Sequence, residues 1–350
     1  MMALTETNKA SKHFEQFDGL RGLAIIFVVL SHCNLLVYGG WIADAVFFAL
    51  AGFFVINPFK EHNEQRFLSL WGILKFYKNR AIRILPAYYL ILIFVCLHSD
   101  FVWITRDMFI RLLFFGDIWG TLWFMYAYFW LMFIVPYILL VHQLLAKKIR
   151  YLNNDLICGV IFIVLGGAFR LLILYLKVYD FRIEQLMVGI GSGYICRYIR
   201  NNEKLNSFAG KHKVLGESLS FLILLLILAF SSKTLMNKID PVLGNDSVGH
   251  RYLFGTSIVM GLLLILLSMY STGFSAKLLS SKILLFLGKI SYTVYLIHMF
   301  ILLQLNVRSD VFSFMLTFAL SIVLAYLIDS VIAFVINKFK MLKPAKAKTL

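Results

Sequence analysis

The chain has 350 residues, of which 61% are hydrophobic and 15% are charged, and its formal net charge is +16. Soluble globular proteins are about 45–50% apolar and about 25% charged, so this composition excludes an ordinary soluble enzyme, a disordered chain and a coiled coil. A basic and apolar chain is typical of a nucleic-acid-binding protein or of a membrane protein with positively charged cytoplasmic loops. The positions of the basic residues decide between these two classes.

Ten segments are long and apolar enough for a transmembrane helix, which needs about 20 mostly apolar residues. These segments are about 21–38, 41–58, 81–98, 120–140, 156–176, 182–199, 214–230, 252–271, 284–304 and 311–336. The sequence therefore predicts an all-α integral membrane protein with about ten transmembrane helices. We expect a single membrane domain over 1–350, flanked by an N-terminal part of about 1–20 and a basic tail of about 337–350.

The distribution of basic residues predicts the orientation of these helices. With the N-terminus placed in the cytoplasm, 25 of the 34 Lys and Arg fall in cytoplasmic segments or at cytoplasmic helix ends, 8 fall on the outer side, and Arg170 lies inside a span. Cytoplasmic segments of membrane proteins carry such an excess. Both termini are therefore predicted to be cytoplasmic, in a multi-pass protein of a cell membrane, with the bacterial cytoplasmic membrane as the expected location. The lipid bilayer then accounts for the charge, and no nucleic-acid partner is expected.

Two ionisable residues lie in the first predicted span, where such residues are costly and often functional. Arg21 and His32 are 11 residues apart, which is about three helical turns and a rise of about 16 Å, so they share one face. Asp18 lies one turn before Arg21 and can pair with it. For Arg21 the alternative is a positively charged membrane anchor, and for His32 it is a packing residue.

Three further polar side chains are predicted at a depth similar to that of His32, in the outer half of the membrane. His298 lies nine residues beyond Lys289, or about 13 Å higher. Tyr126 and Arg170 each lie about six residues, or roughly 9 Å, below the outer end of their helix. We expect these residues to meet His32 in one cavity, where an imidazole can act as a general base near neutral pH.

The remaining candidates lie near the ends of predicted spans. Arg80 and Arg83 precede the third span and can either clamp a phosphate or mark the cytoplasmic side of the membrane. Asp44, near the outer end of the second span, can be an interface residue or the partner of a cation. The cysteines and histidines have no spacing typical of a metal site, so no metal is expected.

Five segments resemble, in order, the motifs of the membrane acyltransferase-3 family. They are FDGLRGLA at 17–24 followed by His32, FFALAGF at 47–53, RAIRILPAYY at 80–89, LWFMY at 122–126 and LGKISYTVYLIH at 287–298. The chain departs from the family pattern at Ala51, where a serine is usual, and in the LWFMY segment, which lacks the glutamate that some branches carry. The resemblance covers nearly the whole chain.

This resemblance implies that an acyl group is transferred across the membrane to a hydroxyl of a cell-envelope or exported glycan or glycolipid. The donor is a cytoplasmic acyl-CoA, commonly acetyl-CoA, which acts as a co-substrate without any tightly bound cofactor. The resemblance also implies roles for individual residues: His32 as the base together with Arg21, acyl-CoA binding by Arg80, Arg83 and Arg21, and secondary site roles for Tyr126, His298, Arg170 and Asp44. The esterase-like domain that some members append is not expected here.

A transporter or a flippase for lipid-linked glycans is the alternative function. Such proteins also have ten or more spans, cytoplasmic positive charge and buried polar residues. The sequence shows no obvious inverted repeat, which argues against this alternative. The sequence predicts neither the acceptor glycan nor the oligomeric state.

Overall fold

The computed structural model describes residues 14–36, 39–98, 123–176, 182–232, 235, 238, 248–305 and 310–341. Over these residues the chain forms helices and turns. The twelve α-helices are α1 (Glu15–His32), α2 (Gly39–Ile56), α3 (Leu70–His98), α4 (Trp123–Lys148), α5 (Asp155–Leu176), α6 (Ile183–Asn201), α7 (Glu203–Lys211), α8 (Lys213–Ser231), α9 (Val248–Met269), α10 (Phe274–Leu279), α11 (Lys282–Leu305) and α12 (Val311–Met341). Short 3-10 helices cover Asn63–Leu68 and Arg150–Asn153.

Each of the ten predicted segments overlaps one described helix of 18 or more residues. Within the part of the chain that the structure describes, six helices are both long and apolar enough to cross a membrane, namely α2, α4, α5, α8, α11 and α12. The chain is therefore a multi-pass membrane protein, and the count of ten spans and the side of each terminus stay predictions. Among the other long helices, α1 and α3 carry Arg21, Arg80 and Arg83, so the side chains of the candidate site themselves lower the apolarity of these helices.

Two helix boundaries differ from those predicted. Helix α1 covers Glu15–His32 rather than 21–38, because the charged residues before Arg21 are helical and Asn34 takes the left-handed backbone conformation, with φ of 57°. Helix α3 begins at Leu70 rather than near residue 81, and Pro86 lies inside it. Hydropathy marks the part of a helix that can lie in lipid, whereas Lys, Arg and Leu continue a helix beyond that part. The chain before residue 14 and after residue 341 lies outside the described residues.

Helix α2 is the central element of the bundle. Its apolar window is 78% buried, whereas that of α12 is 11% buried, which is the exposure expected of a helix at the lipid-facing edge. One apolar cluster packs α2 with α3, α4, α5, α6 and α11, and a second packs it with α1, α8, α9 and α11. Because α2 and α11 contribute to both clusters, they fix α1 relative to α3 and α4.

Glycine permits the closest helix contacts in this bundle. A Cβ atom built on Gly288 of α11 would overlap the carbonyl oxygen of Asp18 in α1, and one built on Gly189 of α6 would overlap that of Ala49 in α2. Small residues allow membrane helices to approach until their backbones touch. The contact at Gly288 holds α1 and α11 side by side, which determines how their histidines meet.

A buried ion cluster ties the connection between α2 and α3 to the bundle. Arg197 of α6 donates to both carboxylate oxygens of Glu64, each at 2.8 Å, and to those of Asp155 at 2.8 and 2.6 Å. Arg66, in the same 3-10 helix as Glu64, donates to the carbonyl oxygen of Val55 at 3.1 Å. These bonds hold the 3-10 helix Asn63–Leu68 against the end of α2.

Candidate functional site

His32, at the end of α1, lies beside His298, in the C-terminal half of α11. Their ring centroids are 5.2 Å apart with an interplanar angle of 47°. His32 is exposed, whereas His298 is 1% exposed. The structure thus brings together two of the residues that the sequence predicted at one depth.

The tautomer of His298 follows from its hydrogen bond. Its Nδ1 lies 2.6 Å from the carbonyl oxygen of Tyr295, one turn earlier in α11, and a carbonyl oxygen can only accept. Nδ1 therefore carries the proton, so Nε2 of the neutral ring is a proton acceptor. This Nε2 is buried and has no hydrogen-bond partner among the described residues.

Three arginines predicted to bind a phosphate group line one cavity. Arg21 of α1, with Arg80 and Arg83 of α3, borders a space of about 100 Å³ between α1, α2, α3, α4 and α11. The other lining residues are Phe47, Leu50, Ala51, Ile84, Phe124, Met125, Tyr128, Ser291, Tyr292 and Tyr295. Three guanidinium groups beside one mostly apolar space are able to bind an anionic group, since arginine binds phosphate through several hydrogen bonds.

The arginines are held by different partners. Arg21 pairs with Asp18 at 2.5 Å and lies 5.9 Å from the ring centroid of Phe54. Arg80 donates from Nη1 to the hydroxyl of Tyr128 at 2.8 Å. Arg83 is exposed on one side of the cavity. The first two guanidinium groups are thus fixed in position, while Arg83 remains accessible.

Tyr295 joins the arginine cavity to the histidines. Its ring borders the cavity and lies 5.7 Å from the ring of His298 and 5.2 Å from that of Phe124. Its backbone carbonyl accepts the hydrogen bond from His298. The cavity therefore ends one helical turn of α11 before His298, and Tyr295 lies between the cavity and the histidine pair.

Tyr126, Arg170 and Asp44 do not line this cavity. Tyr126 is 39% exposed and contacts Trp130, whereas Tyr128, two residues later, faces the arginines. Arg170 is buried and lies 3.5 Å from the carboxylate of Glu184 in α6.

Asp44 belongs to the surroundings of Arg170 rather than to the arginine cavity. Its carboxylate is buried within electrostatic range of Arg182, and Arg182 acts on Glu184 as well. The guanidinium of Arg182 lies 4.9 Å from the ring centroid of Trp123. Asp44, Arg170, Arg182 and Glu184 therefore form a second buried group of charges, between α2, α5 and α6.

Several residues of the site received no role from the sequence. Tyr128 lies in an apolar helical stretch without a signal of its own, whereas Ser291 and Tyr292 belong to the motif at 287–298, and their packing places them at the cavity. Tyr292 donates to the carbonyl oxygen of Ile84 at 3.1 Å and so ties α11 to α3. Arg66 is a further cation near Arg80: burial and the charge of Arg80 lower its pKa, while Glu64 opposes that shift.

The fold and the site define a class of protein. It is a multi-pass membrane protein in which a cavity with three arginines ends beneath a pair of histidines, one exposed and one buried. Such an arrangement can hold an anionic group at one level and move a proton at the next. Among the described residues, no group of His, Cys, Asp and Glu is arranged to hold a metal ion.

The sequence identifies the family. The acyltransferase-3 family model, described as an acyltransferase domain, matches residues 14–334, and the chain belongs to that family. The chain is 31% identical over 96 residues to the peptidoglycan O-acetyltransferase OatA of Listeria monocytogenes, which covers 27% of this chain and 15% of that protein. It is 24% identical over 323 residues to proteins of Staphylococcus aureus strains COL and MSSA476, whose names provisionally describe O-acetyltransferases.

The match to the Staphylococcus proteins covers 83% of this chain and 51% of each relative, so the chain spans about half the length of these relatives. No solved structure matches the chain.

Proposed function

We propose that this protein is a membrane O-acyltransferase that moves an acyl group, most simply acetyl, from cytoplasmic acyl-CoA to a hydroxyl of a cell-envelope or exported glycan. The observation that carries the proposal is the arrangement of one cavity: Arg21, Arg80 and Arg83 line it, and it ends at Tyr295, directly below His298 and His32. Family membership supports acyl transfer as the reaction class.

The donor enters from the cytoplasmic side, and its phosphates bind the three arginines. Charge-assisted hydrogen bonds from guanidinium groups are the strong contacts available to a phosphate in an enclosed site. The pantetheine arm then has to reach from the level of Arg21 to that of His32, a rise of 11 residues or about 16 Å along α1. The arm passes Tyr295, whose ring borders the end of the cavity.

His32 is the general base. It takes the proton of the acceptor hydroxyl while the oxygen attacks the carbonyl carbon of the thioester. The carbon–sulfur bond then breaks, and the CoA thiolate takes the proton back from His32. The products are CoA with a free thiol and an O-acyl ester of the glycan. The ring of His298, with its centroid 5.2 Å from that of His32, steadies the protonated imidazole through Nε2.

The acceptor approaches from the outer side, where His32 is exposed. The name of the Listeria relative gives peptidoglycan as the acceptor of that protein, which supports a cell-envelope glycan as the acceptor class here. A cell membrane is the location that this reaction requires. Arg170 and Asp44 lie in the second charged group, where they position α2, α5 and α6 beside the acceptor, and Tyr126 faces outward beside Trp130.

The test uses the purified full chain in lipid nanodiscs with acetyl-CoA and a short peptidoglycan or cell-wall oligosaccharide. The readouts are free thiol from CoA and the mass increase of the oligosaccharide by one acetyl group. An acyltransferase releases thiol only when the donor is present and the protein carries His32. A preparation that moves lipid-linked glycan between the leaflets without releasing thiol would instead establish a flippase.

A further inference from the structure

A second cavity adjoins the arginine cavity and shares a wall with it. It measures about 200 Å³, and Arg80, Ile84, Met125 and Tyr128 border both spaces. Neither cavity reaches the roughly 300 Å³ at which small-molecule sites usually begin, whereas the two together come close to that size. The two cavities are therefore adjoining compartments that share these four residues.

The second cavity differs from the first in its chemistry. Apart from the shared Arg80, its lining is aromatic, aliphatic or thioether, formed by Tyr77, Ala81, Ile84, Leu85, Met125, Tyr128, Phe129, Met132 and Phe133. The rings of Tyr77 and Phe133 are stacked with centroids 5.7 Å apart, and the Tyr77 hydroxyl donates to the carbonyl oxygen of Phe133 at 2.6 Å. One wall of the cavity is thus aromatic, with Tyr77 of α3 stacked on and hydrogen-bonded to Phe133 of α4.

The second cavity lies toward the N-terminal end of α3. Tyr77 contacts Phe133 while Arg80 contacts Tyr128, so α3 and α4 run antiparallel, and residues 77 and 133 lie on the side away from the histidines. In the proposed function, this is the cytoplasmic side, from which the donor enters. Arg80 stands at the junction between the two compartments.

We propose that the second cavity binds the adenine ring of acyl-CoA. A nucleotide places a planar heterocycle next to its phosphates, and here an aromatic compartment adjoins a cationic one across a shared arginine. Bases stack on aromatic side chains, and arginine interacts favourably with such rings. This assignment rests on the proposed function, since it divides the donor between two sites: adenine beside Tyr77 and Phe133, and phosphates beside Arg21, Arg80 and Arg83.

The test compares two donors in the full chain in nanodiscs: acetyl-CoA, and S-acetyl-4′-phosphopantetheine, which lacks the adenosine 3′,5′-bisphosphate part and keeps one phosphate. Ala81→Phe fills the second cavity from α3, and Met132→Phe fills it from α4. The matched control is Ile82→Phe, because Ile82 is 50% exposed and borders neither cavity. Thiol release gives KM and kcat for each donor.

The filling variants are expected to raise the KM for acetyl-CoA on the order of 10- to 100-fold, the range for losing base stacking. The KM for S-acetyl-4′-phosphopantetheine and the kcat for both donors stay near those of the unmodified protein. Adenosine 3′,5′-bisphosphate should inhibit thiol release by the unmodified protein and by Ile82→Phe but lose this effect in both filling variants, which tests the nucleotide part of the donor by itself.

If the filling variants change the KM equally for both donors, or change it for neither donor, the assignment is overturned. The assignment is also overturned if the filling variants change the KM only in nanodiscs of particular lipids, because that result would show that the cavity holds a lipid chain. If the unmodified protein releases no thiol from either donor, the proposed function itself fails. If it releases thiol and the filling variants do not distinguish the donors, only the adenine site fails.

Discussion

The imidazole rings of His32 and His298 lie 5.2 Å apart although 266 residues separate them in the chain. The first ends α1 and is exposed, and the second is enclosed within α11 with its Nδ1 proton held by a backbone carbonyl. In the proposed function, this pairing provides a base that an acceptor can reach, His32, beside a second imidazole whose Nδ1 keeps its proton. The arginine cavity ends one turn of α11 before His298, so the proposed mechanism lets a donor and an acceptor from opposite sides of the membrane meet at the pair.

His32→Ala should abolish acyl transfer. Removal of a positioned general base slows a reaction by about 10²- to 10⁴-fold, and thiol release from acetyl-CoA in the presence of acceptor measures this loss. His212→Ala is the control, because His212 is exposed directly after α7 and lines neither cavity. Full activity of the His32 variant in folded protein would falsify the mechanism.

His298→Ala should lower kcat on the order of 100-fold, at the lower end of the range for acid–base groups. Groups that act as a unit show strongly non-additive effects, so the double variant His32→Ala/His298→Ala should be no slower than His32→Ala alone. Single-turnover kinetics of the three variants gives the comparison. Losses that multiply in the double variant would mean that His298 acts independently of His32.

Arg83→Ala should raise the KM for acetyl-CoA with little change in kcat. A hydrogen bond to a charged group contributes about 1.5–3 kcal/mol, and since Arg83 is exposed on one side of the cavity, solvent weakens its contact. We therefore expect an increase of about tenfold, measured from thiol release over a range of donor concentrations. Arg150→Ala, at an exposed arginine of the 3-10 helix Arg150–Asn153, should leave KM unchanged. An unchanged KM in the Arg83 variant would favour the interpretation of Arg83 as a membrane anchor.

Tyr128→Phe removes the hydroxyl that accepts the hydrogen bond from Arg80 at 2.8 Å. A hydrogen bond of this kind contributes about 0.5–1.5 kcal/mol, so the KM for acetyl-CoA should rise roughly 2- to 12-fold as Arg80 loses its orientation. Tyr175→Phe is the matched control, because Tyr175 is 83% exposed. Equal KM values for the two variants would show that Tyr128 does not position Arg80.

Gly288→Ala should destabilise the protein and reduce activity, because the added methyl group overlaps the carbonyl oxygen of Asp18 and pushes α11 away from α1. Overpacking costs about 1–3 kcal/mol. A thiol-reactive dye follows unfolding on heating, since Cys33, Cys158 and Cys196 are buried. Gly210→Ala adds its methyl group where no atom lies within 4 Å and should leave Tm and activity intact. Matching Tm values for the two variants would show that α1 and α11 can separate without cost.

Much of the architecture is predictable from the sequence because hydropathy and helical periodicity are properties of local segments. Each of the ten predicted segments has its helix, and the spacing of Arg21 and His32 put both residues on α1. The extension of α3 back to Leu70 was missed, because Lys75 and Lys78 make this part too polar for a lipid-crossing segment although it remains helical.

The membrane class, the helical segments and the residue types of the candidate site follow from local sequence patterns. Which of these residues meet follows from the packing of the bundle, because contact depends on the rotation of each helix about its own axis. Two residues that are two positions apart point in directions that differ by about 200° around the helix axis. Tyr128 therefore faces Arg80, whereas Tyr126 faces outward. For the same reason Arg170 pairs with Glu184 and not with the histidines, since packing against α6 sets the rotation of α5.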